Sequence, residues 1–564
     1  MFKIFQKIAA LLPALGIVCS LCSAKLTDAE LLSKAKKMEK IIQDGMKKIK
    51  VPGVAFSVSR KDKVIYSAAF GKTTIDSNSP KPVSPTTLFP VSSLSKNVTA
   101  ILVGILVDKG ILSFDDKVRK YIPDFFVVDE ETSNKFTVLD LISHRSGFKS
   151  WASDSLLWAG YDNKKILNAF KYLKQRPGNF RKRYGYQNAL FGVVGEAIER
   201  ATGEKYEDVV QKYIFDVMEM KNSSAISIKA EASAMGYFKY LLSRFSHDRE
   251  KLGFFKAATN LILLPSKHES KSVVTNHARY LEDIIPLEEI GFFQKFTATS
   301  GISFSAEDFA KWLAMLANKG AYNGKRIVSE KTFGILASNL AEKNIKDEDY
   351  TFIKSRYSRD NAFYGAGVFK FKYSDNGKNA REILFHMGGI YGSSAFFAVS
   401  FQDDVAVGVI SNLGGVSTTL FCEYMVNQFL DLCFGFSKID WVQTDIDRKK
   451  HFREVREAYN KTLSEQNPSP MERTEKYTGI YTDNGMYGDI KIMEKKGDLY
   501  VSNGIKEAKL THINGGIFTF PGKDMIFAAD DENEYASFFK DEYGNIDSLY
   551  LSCFDENNTI FKKK

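Results

Sequence analysis

The stretch PVSSLSKNVT (90–99) runs on into AILVGILVDKG (100–110), where Ile101, Leu102, Ile105 and Leu106 recur with Val98 at helical spacing and Gly110 closes the run. The three serines therefore fall in the first turn of a helix with an apolar body. Two readings are open there. In one, Ser92 or Ser93 is an N-cap whose hydroxyl satisfies an orphan backbone amide. In the other, Ser93 and Lys96, three residues apart on one helix face, meet as nucleophile and base. A lysine held in a partly desolvated pocket releases its proton more easily, and the free amine can then take the hydroxyl proton of a serine. The helix start adds backbone dipoles that favour the developing anion. Ser-x-x-Lys recurs at Ser33/Lys36, Ser146/Lys149 and Ser537/Lys540, but only the Ser93 copy joins a helix start to an upstream Phe89-Pro90-Val91 and a long apolar helix behind.

The chain around this stretch has 564 residues, 44% of them hydrophobic, enough to bury cores in more than one domain. Residues 29–50 read as an amphipathic helix stopped by Pro52 and Gly53, and VAFSVSRKDKVIYSAAFG (54–71) as a hairpin turning at Arg60 to Lys63. A second strand block comes late, from REILFHMGG (381–389) through SSAFFAVSFQDDVAVGVISN (393–412), with its turn at Gln402 to Asp404 and a helix after it. Strands at both ends with helical patterns between them predict one α/β (α+β) domain over 25–440, its first and last strands side by side. Residues 441–470 turn polar and end in NPSPMER, which reads as a linker. Beyond it, over 471–564, short strands such as EKYTGIYTD, GDIKIMEKK, GIFTFPG and IDSLYLSCF, punctuated by Gly and Asn, predict a small antiparallel barrel or sandwich.

The first 24 residues, MFKIFQKIAALLPALGIVCSLCSA, carry two lysines, an apolar stretch broken by Pro13, and small residues before a cut near Ala24. They read as a signal peptide, which makes the protein exported, periplasmic or secreted; the second reading is a retained membrane anchor. Without them only Cys422, Cys433 and Cys553 remain, too few for a disulfide framework. One bridge with a free thiol and three free thiols are both open. The net charge of +10 is spread among interspersed lysines and acids, with no Arg-rich run carrying aromatics, so no nucleic-acid partner is expected. Residues 230–272 are the unusual segment, with Phe238, Leu241, Leu242, Phe245 and Leu252 among Lys239, Arg244, Arg249 and Lys251. This is either a helix making peripheral contact with a membrane surface or a lid or packing helix with a solvated charged face. No Gly-x-Ser-x-Gly elbow, Walker loop or dinucleotide fingerprint occurs, and the seven histidines form no His-Glu-x-x-His pair, so neither a metal nor another cofactor is expected.

LFPVSSLSKNVTAILVGILVDKGILSFDDKVRKYIPDF (88–125) resembles the nucleophile region of the penicillin-recognising serine hydrolases, namely the class C β-lactamases, DD-peptidases and related esterases. TVLDLISHRSGF (137–148) is similar to the segment that follows in those proteins. Tyr186 and Asn188 match their Tyr-x-Asn motif ahead of a helix, and LFHMGGIYGSSAFFAVS (384–400) matches their third motif, Lys-Thr-Gly or His-x-Gly, through His386 and Gly388. TSGISFSAEDFAKWLAML (299–316) and YGAGV (364–368) also fit. Tyr-x-Asn alone is weak, since Tyr161/Asn163 and Tyr543/Asn545 fit it too, but three motifs occur in the family's order from about residue 30 to 435.

The resemblance implies a β-lactamase/transpeptidase-like domain in which an antiparallel sheet is flanked by a helical region. It implies that Ser93 forms an ester intermediate and that Lys96 and Tyr186 relay its proton, the phenol acting near neutral pH beside an ammonium. Asn188 is implied to hydrogen-bond Lys96 and the substrate amide, and the backbone amides of Ser93 and Gly389 to form the oxyanion hole. His386 and Gly388 line the substrate side. A histidine where many members have lysine offers a hydrogen bond or a partial positive charge, which favours a peptidase, amidase or esterase over an efficient β-lactamase. The substrates implied are D-amino-acid or peptidoglycan-type peptides, esters and β-lactams. The rival class is a catalytically quiet binding or scaffold protein on the same fold. The C-terminal domain either borders the site and restricts substrate or binds another surface.

Overall fold

The strand Gly53–Arg60 is buried along nearly its whole length because helices cover both faces of the sheet whose interior it occupies. The computed structural model describes residues 25–75, 81–161, 163–225, 274, 277–280, 283–286, 297–343, 356–358, 362–390, 392–414, 420–465, 469–483, 485–525, 533–554 and 559–564. In chain order the elements that matter for function are α1 (Asp28–Ile49), β1 (Gly53–Arg60), β2 (Lys63–Gly71), α2 (Ser95–Asp108), α3 (Asp154–Trp158), α4 (Asn188–Thr202) and α5 (Ala306–Ala317). They are followed by β3 (Phe369–Asp375), β4 (Lys378–Ile390), β5 (Ser393–Ser400), β6 (Val405–Ser411), α6 (Phe421–Phe434) and α7 (Trp441–Glu465).

The eight-stranded sheet is antiparallel throughout, in the order Ala341–Glu342, Phe363–Tyr364, β3, β4, β5, β6, β1, β2. The late strand β6 thus lies beside the early strand β1, paired from Val54–Ser411 to Arg60–Val405. On one face lie α1 and α6. Helix α1 begins with a capping box, in which Thr27 accepts from Glu30 N while Glu30 Oε2 accepts from Thr27 N at 2.8 Å, and it buries Leu31, Ala35, Met38, Ile42 and Ile49. On the other face lies α5. Ser57 and Ser59 of β1 face it and donate to Ala306 O and Ala310 O at 2.7 and 2.6 Å, so their buried hydroxyls are satisfied. At Gly408 of β6 a Cβ would come within 2.3 Å of the Phe309 ring, which is how α5 lies so close to the sheet.

The C-terminal strands β7 (Gly479–Thr482), β8 (Asp489–Lys495), β9 (Asp498–Ser502), β10 (Glu507–Lys509), β11 (Thr511–Asn514), β12 (Ile517–Pro521), β13 (Asn533–Lys540), β14 (Ile546–Leu551) and β15 (Ile560–Lys563) form a nearly closed antiparallel barrel. Their order is β10-β9-β8-β7-β15-β14-β13-β12-β11, which decides between the barrel and the sandwich in favour of the barrel. The turn before β8 docks on the first domain. Tyr161 donates to Tyr487 O at 2.9 Å, Lys165 donates to Gly485 O at 2.8 Å, and the Ser155 and Tyr487 hydroxyls are 3.0 Å apart.

Residues 441–465 of the expected linker are helical, as α7. Polarity misleads there because the helix is anchored by long-range packing, its first turns on α6 and α1 and the helix also meeting β11 of the barrel. Trp441 stacks on Tyr424 at 5.4 Å between ring centroids and donates to Asp431 at 3.0 Å, and buried Asp445 pairs with Arg448 and Lys449. Cys422, Cys433 and Cys553 are all free thiols. The signal-peptide expectation for 1–24 and the whole of 230–272, with its membrane-contact and lid readings, lie outside the described residues. Among the described residues no helix is long and apolar enough to cross a membrane.

The close approach at Gly408 sets an expectation for stability. Gly408→Ala should destabilise the protein by about 1–3 kcal/mol in chemical denaturation, through overpacking against Phe309. Gly334→Ala, at an exposed position inside the helix Glu330–Leu336 with open space around it, should instead stabilise by about 0.5–1 kcal/mol.

Candidate active site

Helix α2 does not begin with a serine cap. It follows directly on a tight turn, Ser92–Leu94, whose backbone bonds Leu94 N to Val91 O and Ser95 N to the carbonyls of Ser92 and Ser93, so no side chain is needed there. The serines are used differently. Ser92 is buried at a left-handed φ of 52°, and its hydroxyl lies 2.7 Å from that of Ser393 at the start of β5. Ser95 donates to Ser92 O at 2.7 Å and accepts from Ile302 N at 3.0 Å. Both tie the turn to its neighbours. Ser93 alone is half-buried, and its hydroxyl accepts a hydrogen bond from Lys96 Nζ at 3.0 Å.

Lys96 is 0% exposed. Its ammonium also donates to Thr299 O at 3.2 Å and lies 4.8 Å from the centre of the Tyr186 ring. Burial holds its pKa far below the usual lysine value, with the Asp154 carboxylate opposing that shift. The Tyr186 hydroxyl hydrogen-bonds Ser93, yet burial pushes its pKa well above the ordinary phenol value, and the Asp154 charge adds to the rise. Burial and the Asp154 charge thus work against the expected phenol acting near neutral pH, and burial of Lys96 favours the amine as the group that takes the Ser93 proton. The expected Asn188–Lys96 hydrogen bond is also replaced, because Asn188 turns its amide to donate to buried Asp154 at 2.5 Å.

Strand β4 brings the third motif alongside. At Gly388 a Cβ would lie 2.3 Å from Val91 O, so only glycine admits this contact between β4 and the nucleophile turn. Gly389 is exposed next to it, with open space where a Cβ would be. His386 is 0% exposed; its Nδ1 pairs with Met387 O at 2.7 Å and its Nε2 with the Tyr364 hydroxyl at 3.1 Å. A carbonyl partner makes Nδ1 the protonated nitrogen, leaving Nε2 to accept from Tyr364. Burial, and then the Lys96 charge, lower its pKa to about 3. The partial positive charge expected of His386 is thus absent near neutral pH, and both ring nitrogens are engaged within the protein.

Three further groups belong to the site. His144 packs 4.3 Å from the Tyr186 ring and 4.8 Å from Tyr364, accepts from Gln187 N at 3.1 Å, and is kept neutral chiefly by burial. Thr299 supplies the carbonyl for Lys96. Asp154 supplies the carboxylate for Asn188. His144, Thr299 and Tyr364 lie in segments that already fit the family pattern, whereas nothing in the spacing around Asp154 marks it. Among the described residues no cluster of three or more His, Cys, Asp or Glu side chains is placed to hold a metal ion.

A serine on a helix start above a desolvated lysine, with a tyrosine over the amine and a His-x-Gly strand against the turn, defines the penicillin-recognising class of fold. The Beta-lactamase family model matches residues 38–419, and the chain belongs to that family. It is similar to Beta-lactamase-like protein 2 of Dictyostelium discoideum, 27% identical over 204 residues that cover 35% of this chain and 37% of that one. It is also similar to Esterase EstB of Burkholderia gladioli, 25% identical over 220 residues covering 36% and 55% of the two chains. The chain thus spans less than two thirds of the length of these curated relatives. Its fold is that of the octameric penicillin-binding protein homologue from Pyrococcus abyssi, with a TM-score of 0.53 at 17% identity over 93% of this chain and 99% of that one, so the likeness extends into the barrel.

The neutral histidine is directly checkable. In nitrogen-detected NMR the His386 ring should keep neutral-form shifts from pH 8 down to about 5, given its pKa of about 3. An imidazolium forming near 6.5, the ordinary histidine value, would contradict the burial argument.

Proposed function

We propose that the chain is an exported serine hydrolase that cleaves an ester or amide through an acyl-serine intermediate on Ser93. The observation that carries this reading is the 3.0 Å contact between the Ser93 hydroxyl and a lysine amine with no solvent exposure. A neutral Lys96 takes the proton from Ser93 Oγ, which attacks the carbonyl carbon. The resulting oxyanion is held by the backbone amides of Ser93 and Gly389, each such donor contributing about 3 kcal/mol to lowering the barrier. Tyr186, hydrogen-bonded to Ser93, gives its proton to the leaving group and takes back the one held on the Lys96 ammonium, which returns the amine to its neutral form. Water then cleaves the ester with the same groups in reverse.

The neutral His386 bears on substrate choice. A neutral His386 means that the third motif itself offers no cation for the carboxylate of a β-lactam, which favours an esterase, amidase or D-peptidase over an efficient β-lactamase. Similarity to Esterase EstB supports an ester among the substrates. A peptidoglycan-derived peptide fits an exported member of this family, export resting on the signal-peptide reading of residues 1–24. The quiet-scaffold alternative predicts eroded catalytic residues, whereas Ser93, Lys96, Tyr186 and Asn188 are all present.

A panel of p-nitrophenyl esters, nitrocefin and D-Ala-D-Ala peptides tests the reading. Wild type should turn over an ester or D-peptide faster than nitrocefin, and Ser93→Ala should lose at least about a thousandfold in kcat/KM. Equal rates in wild type and Ser93→Ala would support the scaffold alternative. Removing residues 471–564 should lower activity as well as stability, because Tyr487 and Gly485 hold the segment that carries Asp154.

A further inference from the structure

Asp154 is 2% exposed and lies behind the motif residues. Its Oδ2 accepts from Asn188 Nδ2 at 2.5 Å, so the amide is locked with its NH2 toward the carboxylate and its carbonyl oxygen turned the other way. Lys96 meanwhile has two neutral acceptors, Ser93 Oγ and Thr299 O. An ammonium with only neutral partners is costly inside a protein. The Asp154 carboxylate is the negative charge that acts on both Lys96 and Tyr186.

We infer that Asp154 is a positioning residue for acylation: its carboxylate locks the Asn188 amide and stabilises the Lys96 ammonium that forms when the Ser93 proton is transferred. This inference rests on the acyl-serine reading. In the step itself the O–H bond of Ser93 breaks, an N–H bond forms on Lys96, and the electron pair left on Oγ attacks the carbonyl carbon. Asp154 exchanges no proton. One charge produces both effects, since a carboxylate favours an ammonium and disfavours a phenolate. It thereby keeps the amine as base and the phenol as acid.

The carboxylate keeps its place because the short helix α3 is clamped at both ends. Trp151 N donates to Tyr186 O at 2.7 Å on one side. On the other, Ser155 and Tyr161 bond to Tyr487 of the barrel at 3.0 and 2.9 Å. The groups facing this charge are Lys96 on α2 and Tyr186 ahead of α4; the Lys96 charge in turn acts on His144 and His386. From the barrel side, Asp483 and Cys553 act on Tyr161.

The test uses the full-length protein and a fluorophosphonate probe, measuring the labelling rate at Ser93 from about pH 5 to pH 10 with thermal melting as the control. Asp154→Asn keeps the shape and an acceptor for Asn188 but removes the charge. Asp154→Ser leaves room for water and is used if the Asn variant fails to fold. Without the carboxylate, Lys96 loses its proton at lower pH. The acidic limb should therefore move down by about one pH unit and the plateau rate should fall about tenfold, with melting near that of wild type. Superimposable profiles for wild type and variant would overturn the inference while leaving the acyl-serine reading intact. A wild-type protein that the probe does not label at Ser93 would overturn both.

Discussion

The rest of the structure depends on the removal of one lysine amine from water beneath a half-buried serine. Lys96 can be buried only if α2 is enclosed on every side, and every residue of that helix from Ser95 to Leu106 is buried. The helix Thr297–Ser300 supplies the carbonyl of Thr299, α4 places Phe191 5.7 Å from the amine, and β4 closes the nucleophile turn through Gly388. Removing an amine from solvent is unfavourable for its charged form. The same penalty shifts Lys96 toward the neutral base.

That environment also explains why the tyrosine and the histidines behave as they do. Desolvation disfavours phenolate and imidazolium as it disfavours ammonium, so burial favours a protonated Tyr186 and neutral His144 and His386 and lowers the pKa of the amine they surround. The carboxylate of Asp154 is the counterweight, and it reaches the site through Asn188 from a helix braced by the barrel. The second domain is thus structurally continuous with the chemistry of the first, although it contributes no residue of the three motifs.

Much of this was legible in the residues. Ser93 and Lys96 could be paired because a helix fixes the direction of side chains three apart, and the late strands could be placed beside the early ones because hairpin patterns appear at both ends of the domain. What stayed hidden was long-range. No local pattern ties Ser92 to Ser393, or Ser155 to Tyr487, contacts that join residues more than 300 apart. Burial was the second hidden quantity. The phenol and histidine could be named from motifs, but their protonation depends on how completely the fold excludes water, which motifs do not encode. The polar α7 was hidden for a related reason, since what anchors it is long-range packing of its first turns on α6 and α1 and a contact with β11 of the barrel.

The central claim is that buried Lys96 activates Ser93 and no other serine of the turn. Peptide mapping by mass spectrometry after brief exposure to an activated ester tests it most directly, comparing wild type with Lys96→Met, which keeps the side-chain volume but removes the base. The adduct should sit on Ser93 alone in wild type and form at least about a hundredfold more slowly in the variant. An adduct on Ser92 or Ser95, or one that forms on Ser93 equally fast without the lysine, would contradict the account.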